Sequence, residues 1–170
     1  EKMDKPGGLL RYGIPDFKLG KKVVDRRLDQ LVRVGVRFVL STRVTGTDGE
    51  TLEPGVHDDA ESTISIAALQ AKYDAVVLAL GAEVPRDLKL PGRELSGIHF
   101  ALDFLIAQNR VNSGGGVNPV QVRGKHVVVI GGGEPACACL GTANRLGAAS
   151  VPQLDYHPEL PLQADLMRAW

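Results

Sequence analysis

The chain passes directly from four β-branched aliphatic residues, at positions 127–130, into the consecutive glycines Gly131, Gly132 and Gly133 and then into a helix-forming segment. β-Branched residues favour strands, whereas glycine permits the positive φ angles of a tight turn. A helix that begins at such a turn presents unpaired backbone N–H groups, which bind phosphate. The pattern predicts a strand–turn–helix corner that holds a dinucleotide pyrophosphate, with a purely structural turn as the alternative.

Single positions of this turn have separate requirements. Gly131 makes the turn, and Gly133 must lack a side chain so that the backbone can approach a phosphate. Ala136 occupies the position at which a small residue lets strand and helix pack closely. Pro135 is compatible with a first helical turn, but it removes one N–H donor that a phosphate could use. We therefore expect Gly131 and Gly133 to contact the cofactor.

An acidic residue follows the next predicted strand. Asp155 comes directly after residues 149–154, where a carboxylate in dinucleotide-binding folds accepts hydrogen bonds from the adenine ribose. A 2′-phosphate would instead favour an arginine, and the following residues, Tyr156 and His157, are not arginines. The sequence thus favours NADH over NADPH, and a solvated surface aspartate is the alternative.

Strand and helix patterns alternate along the chain, which is typical of the α/β class with parallel central sheets. Apolar spacing predicts helices at residues 21–34, 65–72, 96–109 and 134–146. Short apolar runs predict strands at residues 36–40, 75–80, 126–130 and 149–154, of which 75–80 is expected to be buried. Residues 7–17 are predicted to form a loop, and the polar residues 45–63 a surface excursion.

A glycine-rich joint divides the predicted elements into two lobes. Three consecutive glycines occur at residues 114–116, and glycine runs of this kind are typical of flexible connections. We place one partial domain at residues 1–95 and a connecting helix with its glycine-rich linker at 96–118. The beginning of a second domain follows at 119–170.

Charge and composition argue against some classes of partner. The 20 basic and 20 acidic residues give a formal net charge of zero, so nothing attracts nucleic acid or an anionic membrane. The apolar runs are much shorter than the roughly 20 residues that span a bilayer. We expect no nucleic-acid and no membrane partner.

The two cysteines, Cys137 and Cys139, are predicted to be packing residues. They lie two residues apart on a predicted helix and so point in different directions. Their spacing also lacks the paired pattern of zinc sites. We expect neither a disulfide nor a metal, and a reducing cytoplasm or organelle matrix as the location.

Four longer stretches carry a family resemblance. They are GGLLRYGIPDFK at residues 7–18, YDAVVLALGA at 73–82, PGRELSGIHFALDFL at 91–105 and GTANRLGA at 141–148. Together they resemble the small (beta) subunit of glutamate synthase and the matching C-terminal region of the single-chain NADH enzymes. The resemblance extends over nearly the whole chain.

This resemblance implies a flavoprotein that passes hydride from NAD(P)H to FAD. Electrons would then cross iron–sulfur clusters to a large (alpha) subunit or domain, where L-glutamate is made from L-glutamine and 2-oxoglutarate. It also implies two Rossmann-like, glutathione-reductase-like folds, with the nicotinamide fold inserted in the FAD fold. Residues 1–95 would be part of the FAD-binding domain and 119–170 the N-terminal part of the NAD(P)-binding domain. The cluster ligands would lie outside this chain.

The same resemblance assigns cofactor-binding residues. Glu1 matches an acidic residue that binds the adenine ribose of FAD, and Gly81 a strand-end turn that approaches FAD. A loop along the flavin corresponds to Gly8, Leu9 and Leu10, and the nicotinamide turn to Gly131, Gly133 and Glu134. The plainer alternatives are a terminal charge, a strand terminator and simple turns.

No catalytic side chain is expected, because the cofactors themselves carry hydride transfer. His99 is accordingly interpreted as a structural residue at a helix start. The family's turn continues Asp-Thr-Gly-x-Asp, whereas this chain has Glu134, Pro135, Ala136, Cys137 and Ala138. Two alternatives therefore stay open: a degenerate binding or assembly module, and a sister NAD(P)H–FAD oxidoreductase with another acceptor.

Overall fold

A computed structural model describes residues 1–47, 58–82 and 84–155. The chain divides into two compact units, Glu1–Pro119 and Val120–Trp170. Both combine helices with parallel strand pairs, so the predicted α/β class is confirmed.

The first unit contains most of the helices. In chain order they are α1 (Gly8–Tyr12), α2 (Lys21–Arg33), α3 (Ile66–Lys72) and α4 (Ala101–Asn112). Helix α2 ends as predicted, because Val34 caps it and Gly35 adopts a φ of 95° that suits glycine. Helix α3 begins at Ser65, whose hydroxyl accepts a hydrogen bond from the Ala68 N–H at 3.1 Å.

Two short parallel strands lie on either side of residues 46–61. Strands β1 (Thr42–Thr45) and β2 (Ser62–Ser65) pair from Thr42 opposite Ser62 to Thr45 opposite Ser65. Thr45 is buried, so the predicted surface excursion over 45–63 is wrong at its first residue and at β2. The middle of that excursion, residues 48–57, lies outside the described residues.

Helices α1 and α4 pack together around a small core. Met3, Tyr12 and Ile106 are buried there, with Leu102 against them. Helix α4 starts at Ala101 rather than at residue 96, because Phe100 still has an extended backbone and caps the helix. His99 lies before that cap and is exposed, so it does not begin the helix.

Residues 7–17 are not a continuous loop as predicted, since α1 occupies part of them. Helix α1 begins after Gly7, whose φ of 123° is accessible to glycine. At the other end of the helix, the Gly13 and Ile14 N–H groups both donate to the Leu9 carbonyl, each at 2.8 Å. A five-residue helix has little intrinsic stability, so its formation depends on contacts with the rest of the unit.

Two predicted strands have no ladder in the part of the chain that the structure describes. Residues 36–40 form no strand, although the N-terminal amine donates to the Val39 carbonyl at 3.0 Å and the Ser41 N–H donates to the Met3 carbonyl at 3.0 Å. Residues 75–80 form no strand and are exposed instead of buried, with Val77 88% and Leu80 68% accessible. An apolar run predicts burial only where other elements cover both of its faces.

The second unit is a strand–helix–strand arrangement. It consists of β3 (Val129–Ile130), α5 (Glu134–Arg145) and β4 (Gln153–Leu154), with β3 and β4 parallel. The helix agrees with the predicted 134–146, and Gly147 follows it with a φ of 84°. A hydrophobic interior forms under it from Val129, Ala136, Ala138 and Ala143.

Both strands are shorter than predicted. The ladder begins earlier, with a bridge between His126 and Ser150 and a 2.9 Å bond from the Val127 N–H to the Ser150 carbonyl. Pro152 accepts from the Val129 N–H at 3.0 Å but has no N–H of its own to donate. The proline thus interrupts the regular pairing and leaves two-residue strands.

The cysteines of α5 differ in environment. Both are free, with Cys139 buried and Cys137 exposed, so the packing role predicted for both holds only for Cys139. Burial raises the pKa of the Cys139 thiol to about 11.

We expect iodoacetamide at pH 8 to alkylate Cys137 at least about a hundredfold faster than Cys139, because a buried thiol with a raised pKa is rarely a thiolate. Mass spectrometry of the native chain measures this ratio. The Cys137→Ser variant should stay unlabelled until denaturant is added. Equal labelling of both thiols in the native chain would contradict the packing of α5.

Candidate functional site

The corner between β3 and α5 has the geometry predicted for a dinucleotide turn. Gly131 has a φ of 121°, and its N–H bonds to the Leu154 carbonyl at 2.8 Å, so the turn is tied to the end of β4. Gly133 is the N-cap of α5 and has an extended backbone. A glycine cap has no side chain that could occupy the first-turn N–H groups, so they can face a ligand.

Small residues keep this corner open. The nearest atom to a Cβ built on Gly131 is the Ala136 Cβ at 3.9 Å, so an alanine replaces the third glycine without crowding. Glu134 and Pro135 form the first two positions of the helix. Proline at that point removes one donor from the first turn of α5.

Asp155 lies against the glycine turn. A Cβ built on Gly132 would overlap the Asp155 carboxylate, so only glycine at position 132 admits this approach. The parallel register brings the end of β4 beside the end of β3, which explains the proximity. The structure therefore brings Gly131, Gly133, Glu134 and Asp155 to one place, where an acidic group lies beside the start of a helix, as in a site for a ribose and a diphosphate.

Gln153 is a part of this corner that the sequence reasoning missed. Its side-chain Nε2 donates to the Gly131 carbonyl at 2.8 Å, which fixes the peptide that begins the turn. Side chains two residues apart on a strand point to the same face, so Gln153 accompanies Asp155. If the two strands are taken to be parallel neighbours, the alternation of side chains along the second strand is the sequence signal that could have identified Gln153.

The residues assigned to the flavin lie in the first unit. Gly8 has a φ of 48° at the start of α1, and the next two side chains, Leu9 and Leu10, are about half exposed, at 50% and 52%. The Glu1 carboxylate accepts a 3.0 Å bond from the Met3 N–H, and the Glu1 carbonyl accepts one from Thr42 at 3.0 Å. An exposed apolar turn is compatible with a ring system, and a carboxylate with a ribose.

Gly81 is the remaining residue that the resemblance assigns to FAD. It has a φ of 74°, and no heavy atom lies within 4 Å of the place where a Cβ would stand. The positive φ explains why glycine occupies the position.

A polar network behind α1 was also missed. Arg110 donates to both carboxylate oxygens of Asp59, at 3.0 and 2.8 Å, and its guanidinium lies 5.6 Å from the centre of the Tyr12 ring. The Tyr12 hydroxyl donates to Asp4. Burial, and then this bond to a carboxylate, raise the pKa of Tyr12, so the phenol stays neutral. Most of these partners are far apart in the sequence, so no local sequence pattern predicts the network.

A search of the described residues finds no group of three or more His, Cys, Asp or Glu side chains placed to hold a metal ion. Over the same residues, none of the helices has the length and apolar character needed to cross a membrane.

Comparison with known proteins identifies relatives. The chain is 44% identical over 167 residues to the glutamate synthase [NADPH] small chain of Mycobacterium tuberculosis, a match that covers 95% of this chain and 31% of that protein. It is 40% identical over 176 residues to the glutamate synthase [NADH] of Schizosaccharomyces pombe, covering 100% of this chain and 8% of that one. The small chain of Bacillus subtilis is 38% identical over 164 residues, 95% of this chain and 30% of its own length.

These matches confirm the resemblance predicted from the sequence. The chain spans about a third or less of the relatives that it matches. A family model described as pyridine nucleotide-disulphide oxidoreductase matches residues 30–166, which include both the parallel strand pairs and the glycine corner. The open turn, the acidic residue against it and this match over most of the chain agree, and the chain belongs to the pyridine nucleotide-disulphide oxidoreductase family.

Proposed function

We propose that the chain is part of the electron-input flavoprotein of glutamate synthase. In this role NAD(P)H reduces FAD, and the electrons support the synthesis of L-glutamate from L-glutamine and 2-oxoglutarate. The observation that carries the proposal is the Asp155 carboxylate against Gly132 at the open start of α5. The three relatives named above are glutamate synthases, which supports this acceptor over that of a sister oxidoreductase.

The second unit would bind the pyridine nucleotide. The amides of Gly133 and Glu134 would receive the diphosphate at the helix start, where the helix dipole also favours an anion. Gly131 would provide the close backbone approach, and Asp155 would accept hydrogen bonds from the adenine ribose hydroxyls. A carboxylate in this position repels a 2′-phosphate, which supports NADH as the better ligand.

The first unit would bind part of FAD. Gly8, Leu9 and Leu10 present an apolar turn along which the flavin ring would lie, while Glu1 would contact the ribose and Gly81 would border the cofactor. When both cofactors are bound, the nicotinamide supplies a hydride and the flavin accepts it. The protein's part is binding and orientation, and we assign no catalytic side chain.

This assignment extends to the domains and partners. Residues 1–95 would belong to an FAD-binding domain, 96–118 to a connection and 119–170 to an NAD(P)-binding domain. A glutamate synthase large (alpha) subunit or domain would receive the electrons by way of iron–sulfur clusters whose ligands lie elsewhere. A cytoplasmic or organelle-matrix location fits the two free cysteines.

We expect the 170-residue chain by itself to carry no stoichiometric flavin and no activity. Residues 36–40 and 75–80 lack strand partners in the described structure, and unpaired strands do not make a rigid cofactor site. An absorbance spectrum of the purified chain measures bound flavin. The control is the protein expressed from the full reading frame that contains the chain. A stoichiometric flavin band in the 170-residue chain would refute the expectation.

In the protein from that full reading frame, we expect Asp155→Asn to raise the Kd for NADH about tenfold. An amide has only one acceptor oxygen and forms weaker hydrogen bonds to the ribose hydroxyls than a carboxylate does. The Kd for NADPH should change less than about threefold, since the substitution also removes charge repulsion. Calorimetric titration with both nucleotides measures the ratio.

The matched control for this titration is Asp74→Asn, the same change at an exposed position of the first unit. It should leave both dissociation constants unchanged. If the unsubstituted protein bound neither nucleotide at micromolar concentrations, the altered turn at Pro135 would identify a degenerate assembly module. If Asp155→Asn bound NADH normally, the assignment of Asp155 to the ribose would be wrong.

A further inference from the structure

The short helix α1 is secured at its C-terminal end by side chains from two other helices. A helix end leaves carbonyl groups without helical partners, so the last carbonyls of α1 and of the residues after it need donors from elsewhere. Lys21, at the start of α2, donates its ammonium group to the Leu10 carbonyl at 3.3 Å and also to the Ile14 carbonyl. This contact is at the surface of the unit.

Asn109 secures the same end from inside. It lies on α4 and is only 3% exposed. Its Nδ2 donates to the Tyr12 carbonyl at 2.7 Å and to the Ile14 carbonyl at 3.2 Å. One amide nitrogen has two protons, so both are used on the backbone that leaves α1.

Helix α1 also carries two exposed leucines. Leu9 and Leu10 lie two to five residues before the two carbonyls that Asn109 binds. The Leu9 carbonyl accepts hydrogen bonds from the Gly13 and Ile14 N–H groups at 2.8 Å, which link this backbone to the turn that carries the leucines. The position of Tyr12 and Ile14 therefore determines where Leu9 and Leu10 are presented. The Asn109 side chain bonds to the backbone carbonyls of Tyr12 and Ile14, so its influence on the two leucines passes through the backbone.

We propose that Asn109 is a positioning residue for the flavin-facing turn of Gly8, Leu9 and Leu10. The proposal rests on the proposed function, since it takes this turn as the surface that meets the flavin. Asn109 acts through two backbone carbonyls and does not touch the cofactor. Its loss should displace the turn while leaving the rest of α4, including the buried Leu105, in place.

The test uses Asn109→Leu in the protein from the full reading frame. Leucine has a similar branched shape but no donor, so the Tyr12 carbonyl loses a buried partner. We expect the Kd for FAD to rise about tenfold. In the fraction that retains FAD, the visible flavin spectrum and the midpoint potential should also shift, because the surroundings of the ring have changed.

Two controls separate positioning from general stability. Asn112→Leu makes the same change three residues further along α4, at an exposed residue whose Oδ1 accepts only from Gln108. Leu105→Ala weakens the packing of the same helix without altering the Asn109 hydrogen bonds. Both should retain the flavin spectrum and potential of the unsubstituted protein in their bound fractions.

The outcomes are distinct. If Asn109→Leu keeps the spectrum and potential, and loses no more FAD affinity than Leu105→Ala, the proposal is overturned. If Asn109→Leu yields no folded protein, Asn109→Ala takes its place with the same readouts, and failure of both to fold would show a structural role instead.

Failure of the proposed function is recognisable separately. In that case the unsubstituted protein binds no FAD, and amide hydrogen exchange of Gly13 and Ile14, which bond to the Leu9 carbonyl, becomes the readout. Exchange at least about tenfold faster in Asn109→Leu than in Asn112→Leu would still support the anchoring of α1. Equal exchange in the two variants would reject it.

Discussion

The parallel pairing of β3 with β4 is the constraint on which the nucleotide corner depends. It ends in the 2.8 Å hydrogen bond from the Gly131 N–H to the Leu154 carbonyl, which joins the glycine turn to the second strand. Because of that register, Asp155 emerges beside Gly132, and Gln153 reaches the Gly131 carbonyl. One backbone contact thus places the start of α5 and an acidic side chain together.

A different kind of constraint shapes the first unit. Helix α1 is too short to persist alone, and its carbonyl groups find donors on Lys21 and Asn109, which belong to other helices. The Tyr12 side chain adds a hydrogen bond to Asp4 and packs with Ile106. Long-range polar contacts therefore hold an apolar, solvent-facing turn in a defined place, which is what a surface that meets a flat ligand requires.

Segments 36–40 and 75–80 show that an apolar sequence pattern does not by itself lead to burial. Their composition predicts strands, yet Val77 and Leu80 are exposed and no ladder involves them in the described residues. Each buried aliphatic side chain contributes roughly 1.5–3 kcal/mol, but only when another element covers it.

Local sequence determined the α/β class, helices α2, α3 and α5 and the glycine turn, because apolar periodicity, caps and glycine conformation act over a few residues. It also determined the family resemblance. Only the tertiary structure decided that residues 8–12 are helical, that Pro152 shortens the strand pair and that Asp155 lies on Gly132. These features depend on partners far apart in the chain, or on strand register, and short-range pattern carries neither.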